Sequence, residues 1–168
     1  MKRILCVLVI VLVSSCLGHS QLLSKMDVFG GYSYSRVNPT TGNAVNTSGW
    51  ELSADYRLMP HVALVADAGG LYCCNSQSLY TFMAGAQLSQ HLIGGTAMVH
   101  ALAGGAHADA NATDTGAAWA LGVGWDRKIA PRISWRVVQA DYLGTDLLSN
   151  TQANYRFTTG LVLKLGKH

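Results

Sequence analysis

Charge is what this sequence has least of. Lys, Arg, Asp and Glu make up 12% of its 168 residues, about half of the roughly 25% usual for a soluble globular protein. Cysteine is nearly absent from the body of the chain: of the 4 present, Cys6 and Cys16 lie near the N-terminus, which leaves the adjacent Cys73 and Cys74 and excludes a disulfide framework. No basic run is interleaved with aromatics, so a nucleic-acid partner has no electrostatic support. Beyond the first twenty residues no segment sustains apolar residues at helical spacing, which excludes a helical fold. No Gly-x-Ser-x-Gly elbow occurs either.

What is present begins with a targeting signal. Lys2 and Arg3 precede the apolar run 4–17, which is shorter than the roughly 20 residues of a membrane-spanning helix. Gly18 and Ser20 then supply small residues at the positions a signal peptidase reads, so residues 1–20 read as a signal peptide and 21–168 as one barrel domain beginning at Gln21. Val13-Ser14-Ser15-Cys16 also fits a lipobox, in which Cys16 would be acylated instead. Removing Lys2 and Arg3 leaves ten basic residues against nine acidic ones, so the remaining chain is nearly neutral.

From Met26 onward, alternation with a period of two recurs between short Gly, Pro, Asn and Thr clusters. It predicts eight strands, at about 26–36, 48–58, 61–72, 78–89, 95–107, 116–126, 132–143 and 153–165, each able to pair antiparallel with the next. One face of this pattern collects all 4 Trp and all 7 Tyr with Leu, Val and Phe. The other collects Asp27, Glu51, Asp55, Arg57, Asp67, His100, Asp126, Arg132, Arg136, Arg156 and Lys164 among Gly, Ser, Thr and Ala. In the seventh strand the parity slips between Arg136 and Gln139, which predicts a β-bulge at Val137 and Val138.

Alternation does not say which face is inside. A soluble barrel would have to bury eleven Trp and Tyr side chains in a lumen that eight strands barely enclose, and would show water a surface of Gly, Ser and Ala. A membrane barrel inverts the pattern: lipid solvates the apolar face, and small residues leave the lumen room for paired charges. Position along the strands agrees. Tyr34, Trp50, Tyr72, Tyr80, Tyr142 and Tyr155 gather at one end of such a barrel and Tyr56, Trp125 and Trp135 at the other, as two interfacial girdles would. The expected fold is therefore all-β, an eight-stranded antiparallel up-and-down transmembrane β-barrel.

Four stretches carry a resemblance: MDVFGGYSYSR at 26–36, HALAGGA at 100–106, SWRVVQADYL at 134–143 and NYRFTTGLVLKLG at 154–166. In these the chain resembles the small eight-stranded outer-membrane barrels related to the transmembrane domain of outer-membrane protein A. The resemblance implies a bacterial outer-membrane location, membrane lipid as surroundings, the barrel-assembly machinery as a partner during biogenesis, and a monomer. Thr158, Gly160, Leu163 and Leu165 look like that family's C-terminal assembly signal. The chain departs from it by ending Leu165-Gly166-Lys167-His168 where many relatives end on Phe.

For function, the polar face is the candidate. Glu51, Asp55, Arg57, Asp67, Arg136, Asp141 and Arg156 read as an internal ion-pair network, and the competing reading is a gate in a narrow porin-like channel. His100 reads as a hydrogen-bonded lumen histidine, with His61 and His107 placed on the same face near strand ends; their spacing supports no metal site, and no cofactor is expected. Cys73 and Cys74 read as two thiols in a loop. A lipid-modifying enzyme is the remote alternative, because the expected lipid face carries no His. The reading is a non-enzymatic barrel with a packed polar lumen that serves envelope structure or surface interaction through its outer loops.

Overall fold

The computed structural model describes residues 25–37, 45–73, 78–109, 113–147 and 150–165. It contains eight strands: β1 Met26–Val37, β2 Val45–Met59, β3 Val62–Tyr72, β4 Ser78–Leu92, β5 Gly95–Asp109, β6 Thr113–Ala130, β7 Ile133–Leu147 and β8 Asn150–Lys164. Each pairs antiparallel with the next, and β8 returns to β1, so the sheet closes into a barrel. Closure leaves no unpaired edge, the condition a sheet must meet to cross a bilayer.

The two ends of the barrel differ. At one, β2–β3, β4–β5 and β6–β7 are joined by two-residue turns at 60–61, 93–94 and 131–132. Pro60 and Pro131 open two of these turns, where a missing N–H costs no ladder bond, and Gly94 supplies the left-handed φ of 92° that the third requires. The start of β1 and the end of β8 lie at this turn end too, stitched by Arg57 N–H to Lys25 O (2.9 Å) and Leu165 N–H to Met26 O (3.0 Å). The other connections gather at the opposite, loop end. The strands overrun the apolar stripes that forecast them: β2 begins at Val45, and β6 continues to Ala130. The alternation signal fades where both faces turn polar, but the hydrogen-bonded ladder does not.

Burial follows the period of two. Phe82 is 62% exposed and Leu121 55%, whereas Glu51 and Arg156 are 2% exposed, so the apolar stripe faces outward and the charges face the lumen. The bulge falls where the parity slip placed it: Arg136 pairs with Gly160, and the next pair is Gln139 with Thr158. Opposite, Trp125 pairs with Val138 and Asp126 with Arg136. Within the bulge, Val138 is the exposed residue and Val137 is half-buried. Arg132 lies in a turn, exposed, and not on a strand.

The lumen is less uniformly polar than expected. Phe29, Val65, Met83, Leu102, Ala106, Ala118, Ala120, Leu143 and Val162 are all buried. Val65, Met83, Leu102, Ala106, Ala118, Ala120 and Leu143 form one apolar cluster, flanked by Leu79 and Ala108. These residues share parity with the lumen charges. Their hydrophobicity hid them in strands such as β3, where VALVADAGGLY is apolar on both faces. The inner face is mixed: on β3, β5 and β7 the apolar Val65, Leu102 and Leu143 each lie two residues from the polar Asp67, His100 and Asp141.

On the outside, the aromatic rings lie over the wall. Trp50 is paired with Gly70 and Trp119 with Gly144, and a Cβ on Gly70 would stand 2.7 Å from Trp50 Nε1. Each indole thus covers a cross-strand glycine, which recovers the contact a side chain would have made. Trp50 Nε1 donates to Tyr72 Oη at 3.1 Å. Trp119, Tyr142 and Tyr155 form a chain of tilted and edge-to-face contacts with centroids 5.5 Å apart. Single-Trp variants retaining Trp50, Trp119, Trp125 or Trp135 should each be quenched by brominated lipid; absence of quenching in all four contradicts the outward assignment.

Candidate functional site

The lumen cluster is built around Arg156. Asp141 on β7 sits directly opposite Arg156 on β8, and both are inward by parity. Arg156 Nε donates to Asp141 Oδ2 at 2.8 Å, and its Nη2 lies 2.7 Å from the same oxygen. Glu51 Oε2 from β2 comes within 3.3 Å of Nε, and Asp67 Oδ1 from β3 within 3.5 Å of Nη1. One guanidinium therefore holds three carboxylates from three strands, its fork contacting several acceptors at once.

Gln139 links this centre to a second one. Its Nε2 donates to Glu51 Oε1 at 2.7 Å and to Asp141 Oδ2 at 3.0 Å, while its Oε1 accepts from Arg136 Nη1 at 2.8 Å. Arg136 grips Asp126 with both arms of its fork, Nε to Oδ1 at 2.8 Å and Nη2 to Oδ2 at 3.2 Å. Asp55 lies at 4.0 Å, and the Phe29 ring packs under the guanidinium at 4.3 Å. Thr158 Oγ1 donates to Glu51 Oε2 at 2.7 Å. His100 Nε2 lies 3.0 Å from Asp141 Oδ1. Gly122 faces this last pair, and a Cβ there would collide with both His100 and Asp141. The small lumen residues are the space the charges occupy.

Of the seven network candidates, Glu51, Asp55, Asp67, Arg136, Asp141 and Arg156 are buried and converge. Arg57 does not join them: it pairs with Asp27 at 2.9 Å near the turn end with its side chain 36% exposed. Its position two residues from the β2 terminus puts it at the mouth. Gln139, Asp126, Thr158 and Phe29 belong to the site and were not among the candidates. Gln139 and Thr158 carried a usable signal, since each lies two residues from a lumen charge on its own strand.

The histidines divide. His100 is buried in the lumen as expected. His61 is exposed in the β2–β3 turn, where its Nδ1 meets Ser89 O at 3.1 Å. His107 faces outward, exposed beside Thr115 Oγ1 at 2.9 Å. The separation of seven from His100 is odd, so an unbroken strand places the two on opposite faces; the expected His-free outer face is corrected. No three His, Cys, Asp or Glu among the described residues are grouped to hold a metal. Cys73 is a free thiol, half-buried, and Cys74 lies outside the described residues.

Chemically this arrangement is a desolvated network in which two guanidiniums are shared among five carboxyl groups, Glu51, Asp55, Asp67, Asp126 and Asp141. Removing one partner strands the others without water, at a cost of about 3–5 kcal/mol for a fully buried pair. Asp141→Ala and Arg156→Ala should each destabilise the barrel, and the double variant should cost clearly less than their sum. Urea unfolding in lipid vesicles on all four members of the cycle measures this; additive losses would show that the two do not interact.

No protein-family profile matches the chain, and no curated protein is similar to it in sequence. Solved structures do match. Neisserial surface protein A superposes with a TM-score of 0.71 at 14% identity, covering 84% of this chain and 97% of that one. The attachment invasion locus protein of Yersinia pestis gives a TM-score of 0.57 at 16% identity, with 82% and 97% covered. The N-terminal β-barrel domain of Pseudomonas aeruginosa OprF gives 0.52 at 14% identity, with 83% and 98% covered. Eight strands, all-antiparallel closure and these superpositions together establish that the chain has the fold of the small eight-stranded outer-membrane β-barrels.

Proposed function

We propose that this chain is a non-enzymatic barrel of the bacterial outer membrane, closed to ions, that serves envelope structure or surface interaction through its outer connections. The observation that carries this reading is the filled lumen. The Arg156 and Arg136 centres fill part of it, and the Val65, Met83, Leu102 and Leu143 cluster fills the space beside them. An ion crossing such an interior would have to break charge-assisted hydrogen bonds beside an apolar wall that offers it no coordination.

The outward surface supports the membrane part. Leu52, Leu64, Phe82, Leu121, Val123, Phe157 and Leu161 stand 47% or more exposed, a continuous apolar area that in water would be an association site. Two-residue turns at one end and connections of two to seven residues at the other fit the periplasmic and outer ends of bacterial barrels. Two of the structural neighbours are named for a bacterial surface and for attachment. Export through cleavage before Gln21, and recognition of Thr158, Gly160, Leu163 and Leu165 by the assembly machinery, complete the proposal. Thr158 points into the lumen, while Leu163 and Leu165 face outward.

Planar-bilayer recording on the purified, refolded barrel tests the closed lumen. The expected result is no stepwise current above bilayer leak across the physiological pH range. Stable unitary channels would overturn the closed reading in favour of a narrow gated pore.

A further inference from the structure

The Lys and Arg side chains are segregated along the barrel axis. Arg136 and Arg156 lie in the lumen and Arg36 lies near the loop end, while Lys25, Arg57, Arg127, Lys128, Arg132 and Lys164 all lie at the turn end. The acidic residues toward that end, Asp27, Asp55 and Asp126, are engaged by Arg57 and Arg136. Asp109 and Asp114 lie at the loop end. Among the described residues the turn end carries the excess of cations, while the loop end holds Arg36 with Asp109 and Asp114.

The basic residues are also segregated around the rim. They occupy one arc, β6–β7–β8–β1–β2, that backbone hydrogen bonds make continuous: Lys164 N–H donates to Arg132 O at 2.9 Å, and Arg57 N–H donates to Lys25 O at 2.9 Å. The β2–β3 and β4–β5 turns on the other side carry His61 and, beside the second, His91, but no Lys or Arg. Arg127 pairs across the ladder with Trp135, whose indole is 42% exposed on the outer wall and donates to Thr159 Oγ1 at 3.1 Å. Arg127 is thus an outward-facing cation one strand from an outward-facing Trp, the placement of an interfacial residue. Ile129, two residues on, is 57% exposed between the exposed Lys128 and Arg132. An apolar side chain set among cations suits a surface that is both greasy and anionic, and has no use against a soluble acidic peptide.

We infer that the arc centred on Arg127, Lys128 and Arg132 binds the phosphate headgroups of anionic phospholipids in the leaflet that the turn end meets. Arg127 reaches the phosphates from the wall, Lys128, which pairs with the inward Ser134, reaches them with Arg132 and Lys25 from the rim, and Ile129 enters the acyl boundary. The opposite arc has no such preference, so the barrel is encircled unevenly, with anionic lipid held on the β6–β8 side.

Spin-labelled phosphatidylglycerol and phosphatidylcholine, each at trace level in phosphatidylcholine vesicles containing the folded full-length mature barrel, test this. The motionally restricted fraction in the electron spin resonance spectrum gives each lipid's relative association. Phosphatidylglycerol should be favoured about threefold or more at low salt. The preference should fall to about one in high salt and in the triple variant Arg127→Gln/Lys128→Gln/Arg132→Gln. Arg36→Gln, at the other end, should leave it unchanged. Heat-dependent gel mobility verifies that each sample is folded and inserted, and the salt titration on the unaltered protein stands even if the triple variant does not fold. Equal association of the two lipids, a preference that persists in high salt or in the folded triple variant, or loss of preference in Arg36→Gln would each overturn the proposal. So would binding of a soluble acidic peptide by vesicles that show no lipid preference.

Discussion

The structure depends on how one guanidinium is kept out of water. Arg156 is 2% exposed and meets carboxylates from β2, β3 and β7. A buried cation is tolerable only if its neighbours neutralise it and satisfy its donors. That requirement shapes the surroundings. Gly69 stands where a Cβ would come within 3.2 Å of Arg156 Nη1, and Gly122 leaves room for the His100–Asp141 contact. The bulge at Val137 and Val138 brings both Arg136 and Gln139 to the inner face. Gln139 then bridges the two arginine centres, donating to Glu51 and Asp141 and accepting from Arg136. Without the bulge, one of the two would point at lipid.

The same economy explains the outer wall. With charge concentrated inside and at the ends, the wall is left to apolar and aromatic side chains, and the glycines that relieve the lumen are matched outside by glycines lying under Trp50 and Trp119. The ends are not equivalent. Basic residues collect at the turn end and along one arc of it, so the surface has a chemical polarity along its axis and a second one around its circumference. Both come from the strands overrunning the apolar band, where polar side chains no longer cost a membrane anything.

Much of this was legible in the sequence because a closed sheet obeys a strict period of two. The alternation in SGWELSADYRL places Trp50, Leu52 and Tyr56 on one face and Glu51 and Asp55 on the other, as the structure has them. The slip between Arg136 and Gln139 was readable as a bulge for the same reason. What stayed hidden was anything for which parity carries no contrast. Val65, Met83, Leu102 and Leu143 are inward, but nothing in their hydrophobicity separates them from their outward neighbours, so parity gives no sign that they face the lumen. The strand ends were likewise lost where both faces are polar. Parity alone gives the face of Arg57 but not its depth, and the odd separation of His107 from His100 puts the two on opposite faces.

The central claim is that the charged core is dry and shut. The most direct measurement is hydrogen exchange of the arginine Nε–H groups, resolved by nitrogen-15 NMR of the folded barrel transferred into heavy water. Arg156 Nε–H, donated to Asp141 at 2.8 Å inside the lumen, should persist for hours, whereas that of Arg132 in its exposed turn should vanish within the dead time. Exchange of Arg156 as fast as that of Arg132 would mean that water reaches the core, and the account of a sealed lumen would be contradicted.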